Sequence, residues 1–186
     1  MRIMPLALYL YGTGRGELND ETAALIHTSS AVTHAHLRCC MACGTYCSVV
    51  FCLCGGMDRH AAVREGIGRA LAYYGRKEQF VTEMEMFQSL ESIGVWPEQM
   101  IHGSGYVLHT LQAALWCFLR TENYTDCVLQ AVNLGEDTDT TAAVAGGLAG
   151  LYYGEESIPT EWLDVLARRE DIQYMCDTFA DVLADE

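Results

Sequence analysis

Apolar positions recur along the chain at helical rather than alternating spacing. Arg2–Tyr11 is an apolar run with Pro5 near its start, where the first turn of a helix tolerates a residue without an N–H. Residues 12–16 form a Gly-rich loop. No strand precedes it and its spacing is not that of a phosphate-binding fingerprint. Asn19, Asp20 and Glu21 supply a cap and an acidic first turn for a helix reaching about Val32, with Ala23, Ala24, Ile26 and Ala31 as its apolar side. Thr33-His34-Ala35-His36 interrupts the pattern. The next helix is expected from about Ala35 to Cys54, stopped by Gly55-Gly56. Asp58 caps a helix over Arg59–Tyr74, closed by Gly75.

Phe80, Met84 and Phe87 predict an amphipathic helix over about Lys77–Leu90 and read as its core face. Ile93–Gly105, punctuated by Gly94, Pro97, Gly103 and Gly105, is the longest irregular stretch. Helices are then expected over Tyr106–Arg120, from Asn123 or Thr125 to about Val132, and over 141–153. Ser157-Ile158-Pro159 marks a turn, and two acidic amphipathic helices, about 160–168 and 170–184, finish the chain. No β-branched alternation, persistent heptad or solenoid repeat is present. The pattern predicts an all-α, multi-helix globule, with residues 1–186 as one domain.

Composition sharpens this picture. The chain is 51% apolar with three prolines, so disorder is excluded and a sizeable core is expected. The net charge of −14 is concentrated at one end: residues 121–186 carry fifteen acidic and two basic side chains, residues 1–120 ten and nine. Such a surface repels phosphates, which argues against a nucleic-acid partner. It also favours divalent cations; the alternative is a solvated acidic face. Of nine cysteines, Cys39, Cys43 and Cys47 fall four apart on one helical stripe, with Cys40, Cys52 and Cys54 nearby. No secretory leader accompanies them, so they read as reduced, small core residues of a cytoplasmic protein. Zinc is the sharper alternative, since His34 and His36 lie beside Cys39, Cys40 and Cys43. Structural zinc sites, however, draw ligand pairs from separated loops. Residues 39–57 contain no charge, which meets the length of a membrane span. They are rich in Cys, Gly, Ser and Thr, and the flanking charges carry no orientation bias. A central helix buried on all sides is the expectation, with no membrane association.

Chemistry concentrates in Asn133–Thr141. Asp137 and Asp139 are two apart, Thr140 follows, and a helix of small residues comes next. Hard oxygen donors at this spacing suit Mg²⁺ or Ca²⁺ better than zinc. The same residues also read as a helix cap, and one residue can do both. An EF-hand is excluded. With Asp137, Asp139 and Thr141 at positions one, three and five, Ala142 stands where Gly is needed and Leu148 where Glu is needed. Gly146, Gly150 and Gly154 recur every four residues and predict the close approach of a neighbouring helix.

Four segments, in order, resemble the ADP-ribosylglycohydrolase family, the group related to dinitrogenase-reductase-activating glycohydrolase. They are Met1-Arg2-Ile3-Met4-Pro5-Leu6; Thr33-His34-Ala35-His36; Ser104-Gly105-Tyr106-Val107 through Ala113-Ala114-Leu115-Trp116; and Gly135-Glu136-Asp137-Thr138-Asp139-Thr140 with the small-residue helix after it. The resemblance implies an all-helical fold, two Mg²⁺ ions and release of ADP-ribose from modified protein side chains or small molecules. It implies that Asp137, Asp139 and Thr140 ligate metal, with Asp137 serving catalysis. It implies that His34 lies near bound ADP-ribose and that Tyr106 and Val107 form part of the wall near the adenosine. A helix-start histidine bonded to backbone, and an ordinary core tyrosine, are the plainer readings of His34 and Tyr106.

The departure from the family pattern is at the front. Members carry an N-terminal region with a Thr-Asp-Asp metal motif, a catalytic acidic residue and an Asn-Gly step before the Met-Arg equivalent. None occurs here; Thr125-Asp126-Cys127 is the nearest. The expectation is therefore about the C-terminal two-thirds of the family's domain, half of a two-metal site and weak or no hydrolysis unaided. A partner chain or oligomer would then cover the apolar face around Arg2–Tyr11. The second reading is a non-catalytic module that binds ADP-ribose or assembles with another chain.

Overall fold

The computed structural model describes residues 2–184; Met1, the first residue of the Met-Arg segment, lies outside them, as do Asp185 and Glu186. Among the described residues the α-helices are α1 (Met4–Gly12), α2 (Asp20–Ala31), α3 (Leu37–Cys54), α4 (Arg59–Tyr74), α5 (Met84–Gln88), α6 (Val107–Arg120), α7 (Tyr124–Asn133), α8 (Thr138–Tyr153), α9 (Thr160–Asp164) and α10 (Arg169–Ala184), and there is no strand. The uncharged run is α3, and thirteen of its eighteen residues are buried. It touches α1, α2, α4, α6 and α8. Protein rather than lipid covers its apolar faces, and Cys40, Cys47 and Cys52 are buried in that packing. All nine cysteines are unpaired.

Local chemistry starts these helices where the pattern expects. The Asn19 side chain accepts from the N–H groups of Glu21 and Thr22, while Thr22 Oγ1 accepts from Asn19 N–H, a reciprocal cap on α2. Asp58 accepts from the N–H groups of His60 and Ala61 at the start of α4. The neighbouring Arg59 is buried. Its guanidinium donates to the Thr121 carbonyl and the Tyr153 hydroxyl and pairs with Glu122, tying α4 to the α6–α7 link and the end of α8. Gly146 and Gly150 face Tyr124 and Val128, so α8 does approach α7 through its small residues. Gly154 instead ends the helix, at φ 86°.

Three expectations needed correction. The helix expected over Lys77–Leu90 is only five residues of α5 between 3-10 turns at Glu78–Glu83 and Ser89–Val95. Met84, Phe87, Leu90 and Ile93 recur every three residues, the 3-10 rather than the α period, and the last three are fully buried. α8 begins at Thr138, three residues early, because the acidic turn itself enters the helix. The helix expected over 160–168 stops at Asp164, and Arg168 takes φ 59° before α10 begins. No α10 residue is buried: Ile172, Tyr174, Met175 and Val182 are exposed.

The tightest crossing is α3 on α4. A Cβ built at Gly66 would lie 2.6 Å from the Cα of Val49, where no flexible side chain can move aside. Gly66→Ala is expected to destabilise the fold by about 1–3 kcal/mol despite its better helix propensity. A lower urea midpoint at unchanged m-value would show this; an unchanged or higher midpoint would refute the close-packing account.

Candidate active site

A cavity of about 720 Å³ opens where five segments meet: the N-terminus, the α2–α3 link, the start of α3, the entry to α6 and the entry to α8. That volume suits a small molecule or cofactor. Asp137, Thr140, His34, Tyr106 and Val107 all line it, brought together from three distant stretches of chain. Asp139 does not. It is exposed on the first turn of α8, because a two-residue step around a helix turns it away from Asp137. Thr141 is fully buried and also off the cavity, which removes it as a ligand.

The Asp137 turn is built by backbone. Gly135 and Glu136 take φ 80° and 57°, two successive left-handed residues that reverse the chain between α7 and α8. For Glu136 that conformation is strained. Asp137 N–H then donates to the Gly103 carbonyl at 2.9 Å. Asp137 stands at the cap position of α8, yet its carboxylate accepts none of the helix N–H groups, unlike Asn19, Asp58 and Asn123 at their helices. Gly105 lies against it; a Cβ there would be 2.4 Å from Oδ2. The carboxylate is therefore held at the cavity wall with its hydrogen-bonding capacity unused by the helix.

The lining also carries basic side chains. Arg38 donates to the Tyr106 hydroxyl at 2.9 Å and pairs with the largely buried Glu83. Hydrogen bonds to Glu83 and Tyr106 raise the guanidinium's pKa and keep it charged. Tyr106 is no core residue: 38% exposed, it is anchored at its hydroxyl and lies edge-on to His109 at 5.0 Å. Arg2 donates to Thr33 Oγ1 at 3.1 Å, and Thr33 Oγ1 meets His34 Nδ1 at 3.0 Å. The helix-start histidine is instead His36, whose Nδ1 accepts from Arg38 N–H at 3.2 Å. His34 thus points an exposed imidazole at the cavity mouth. Cys39 and Cys43 also line the cavity; burial raises both thiols, which opposes nucleophilic reactivity.

The cavity lining thus combines the guanidinium groups of Arg2 and Arg38 and the imidazoles of His34 and His36 with a single carboxylate, Asp137. Among the described residues no group of three or more His, Cys, Asp and Glu is arranged to hold a metal. The oxygen donors at Asp137, a carboxylate and the neighbouring Thr140, are the hard oxygens magnesium takes. They are fewer than the six an octahedral site requires. They match magnesium in kind of donor but not in number. Arg38 and Glu83 are residues of the site region that the sequence pattern did not single out, since isolated charged residues carry no periodic signal; Arg2 and Gly105 fall in the family-like segments but carried no assigned role there.

The ADP-ribosylglycohydrolase family model matches residues 1–186. The ADP-ribosyl-[dinitrogen reductase] glycohydrolase of Rhodospirillum rubrum is 31% identical over 166 residues, 89% of this chain and 49% of that protein. The ADP-ribosylarginine hydrolase Tri1 of Serratia proteamaculans (strain 568) is 46% identical over 77 residues, 41% of this chain and 21% of that one. A solved ADP-ribosylglycohydrolase-related protein complex superposes with TM-score 0.66 at 27% identity, covering 84% of this chain and 51% of that chain. The chain spans about half the length of the relatives it matches over most of its own length.

If the Asp137 carboxylate caps nothing, removing it should cost the fold little. Asp58→Ala is expected to lose about 1 kcal/mol with its cap, and Asp137→Ala about 0.5 kcal/mol or less, the residual helix-dipole effect. Urea denaturation of both variants measures this. An equal loss at both positions would return Asp137 to the role of an ordinary cap.

Proposed function

The chain belongs to the ADP-ribosylglycohydrolase family, and from that premise we propose that its cavity receives the ADP-ribosyl group of a modified protein side chain or small molecule. It does so as the C-terminal half of a magnesium-dependent hydrolase site. The observation that carries the reading is the uncapped Asp137 carboxylate in the lining of a cavity that also presents Arg2 and Arg38. ADP-ribose has matching groups: a diphosphate for Arg2 and His34, and ribose hydroxyls for the oxygen donors Asp137 and Thr140. Tyr106, pinned by Arg38, offers a rigid aromatic surface for the adenosine beside Val107.

The reaction is cleavage of the C1″ glycosidic bond by water, through a transition state with positive charge building on the ribose. A carboxylate held at the ribose end stabilises that charge, and this is the catalytic role assigned to Asp137. Asp137 and Thr140, with Asp139 reoriented from its outward position, are the residues that would hold magnesium; when bound, it would supply a positive centre that orients water and ribose hydroxyls. The facing ligands would come from outside these 186 residues, in the same polypeptide or a partner chain lying against the α1 side. The unpaired thiols suit a reducing, cytoplasmic setting.

The second reading, a non-catalytic module that binds ADP-ribose or assembles with another chain, is favoured by the outward position of Asp139, away from the cavity that Asp137 lines. Calorimetry with ADP-ribose in the presence and absence of Mg²⁺, together with assay of ADP-ribosylarginine hydrolysis, separates the readings. The 186-residue chain is expected to bind ADP-ribose more tightly with Mg²⁺, to lose that gain in Asp137→Ala, and to turn over little or no substrate alone. No heat at millimolar ADP-ribose would sink the hydrolase-site reading and the binding version of the second, leaving only assembly with another chain. Robust turnover without Mg²⁺ would sink the half-site assignment.

A further inference from the structure

We propose that His109 and Ser104 form a positioning latch behind the cavity wall, fixing the 103–106 loop so that Tyr106 and the Asp137 carboxylate keep a set relation. The functional meaning of the latch rests on the ADP-ribose reading of the cavity; its geometry does not.

α6 turns Val107, Thr110 and Leu111 to the cavity, while His109, in the same turn, lies off it. His109 Nδ1 is 2.7 Å from Ser104 Oγ, a short contact for an uncharged pair. Tyr106 stands at the cap position of α6, and no side chain caps that helix start. Tyr106 N–H instead reaches Ser104 Oγ at 3.4 Å, and Thr110 Oγ1 reaches the Ser104 carbonyl at 3.4 Å. Ser104 thus stands in for the missing cap, and His109 orients its hydroxyl. Around His109 lie the His102 ring at 4.8 Å, the Tyr106 ring edge and the Glu136 charge.

The loop has no slack on the far side. Gly103 accepts the Asp137 N–H, and a Cβ at Gly103 would lie 2.4 Å from the Gly135 carbonyl oxygen. Gly105 abuts Asp137 Oδ2. On the near side Tyr106 is tied to Arg38. A loop wedged between these contacts transmits any displacement of Ser104 to both the acidic and the aromatic wall. His109 touches neither the cavity nor the proposed ligands, so its role is positioning.

Amide hydrogen exchange by NMR on the full chain tests this directly, because the Asp137 amide reports the Gly103–Asp137 bond. His109→Phe keeps a ring beside Tyr106 and removes the hydrogen-bonding nitrogen, Ser104→Ala removes the hydroxyl, and His109→Asn returns a hydrogen-bonding group near the Nδ1 position. Each of the first two is expected to speed exchange at Asp137 roughly five- to tenfold, the scale of one lost hydrogen bond. The double variant should add little further, His109→Asn should restore protection, and the α3 amides should be unchanged. ADP-ribose affinity, measured by calorimetry with Mg²⁺, should fall by a similar factor. Unchanged exchange at Asp137, or an equal rise across the α3 amides, would overturn the latch. The expected exchange pattern in a wild-type chain that binds no ADP-ribose would uphold the latch and sink the cavity reading.

Discussion

A helix without a charge from Cys39 to Cys54 is stable in water only where other helices cover it, and this requirement organises the molecule. α1, α2, α4, α6 and α8 each supply part of the cover. Because α3 is surrounded, the ends of its neighbours must gather at its ends. The cavity forms at its N-terminal end, where α2 hands over to α3 and where α6 and α8 begin. The close crossing of Val49 on Gly66 locks α3 to α4, and Arg59 then carries α4 to the far ends of α6 and α8. Packing around α3 therefore brings the segments of the site together, and hydrogen bonds such as Asp137 N–H to the Gly103 carbonyl fix them there.

The site is built from helix starts, and each start meets its orphan N–H groups differently. α3 uses His36, α6 borrows Ser104, and α8 leaves Asp137 uncommitted. A carboxylate that satisfied the helix would be unavailable to a ligand; one held in place by backbone contacts at Gly103 and Gly105 costs the turn some strain at Glu136 and keeps its oxygens free. The basic side chains follow another logic. Arg38 is already engaged by Glu83 and Tyr106, so it serves as a strut, while Arg2 and the imidazole of His34 stay exposed in the lining.

Helical periodicity and caps made most of the fold legible along the chain: Asn19, Asp58 and Gly55-Gly56 mark boundaries that hold in three dimensions. The reading failed where two periods compete. Over residues 78–95 the apolar spacing of three belongs to 3-10 turns, and a short window containing Phe80, Met84 and Phe87 does not separate that period from 3.6. It also failed after Asp164, where a left-handed Arg168 breaks a pattern with no glycine or proline to announce the break.

Of the candidate site, the sequence by itself determined the chemical types. Asp137, Thr140, His34, Tyr106 and Val107 were identifiable from short motifs, because motif residues sit within a few positions of one another and their donors and acceptors are set by residue identity. Tertiary structure alone decided which of them share a cavity, that Asp139 faces outward from it, and that the helix-start histidine is His36 rather than His34. Only the folded chain could also tell a cap from an available ligand at Asp137. That distinction depends on whether the carboxylate turns toward its own helix or is held away by a loop more than thirty residues earlier in the chain, at Gly103 and Gly105. Contacts across such separations are set by the packing around α3, and local spacing carries no record of them.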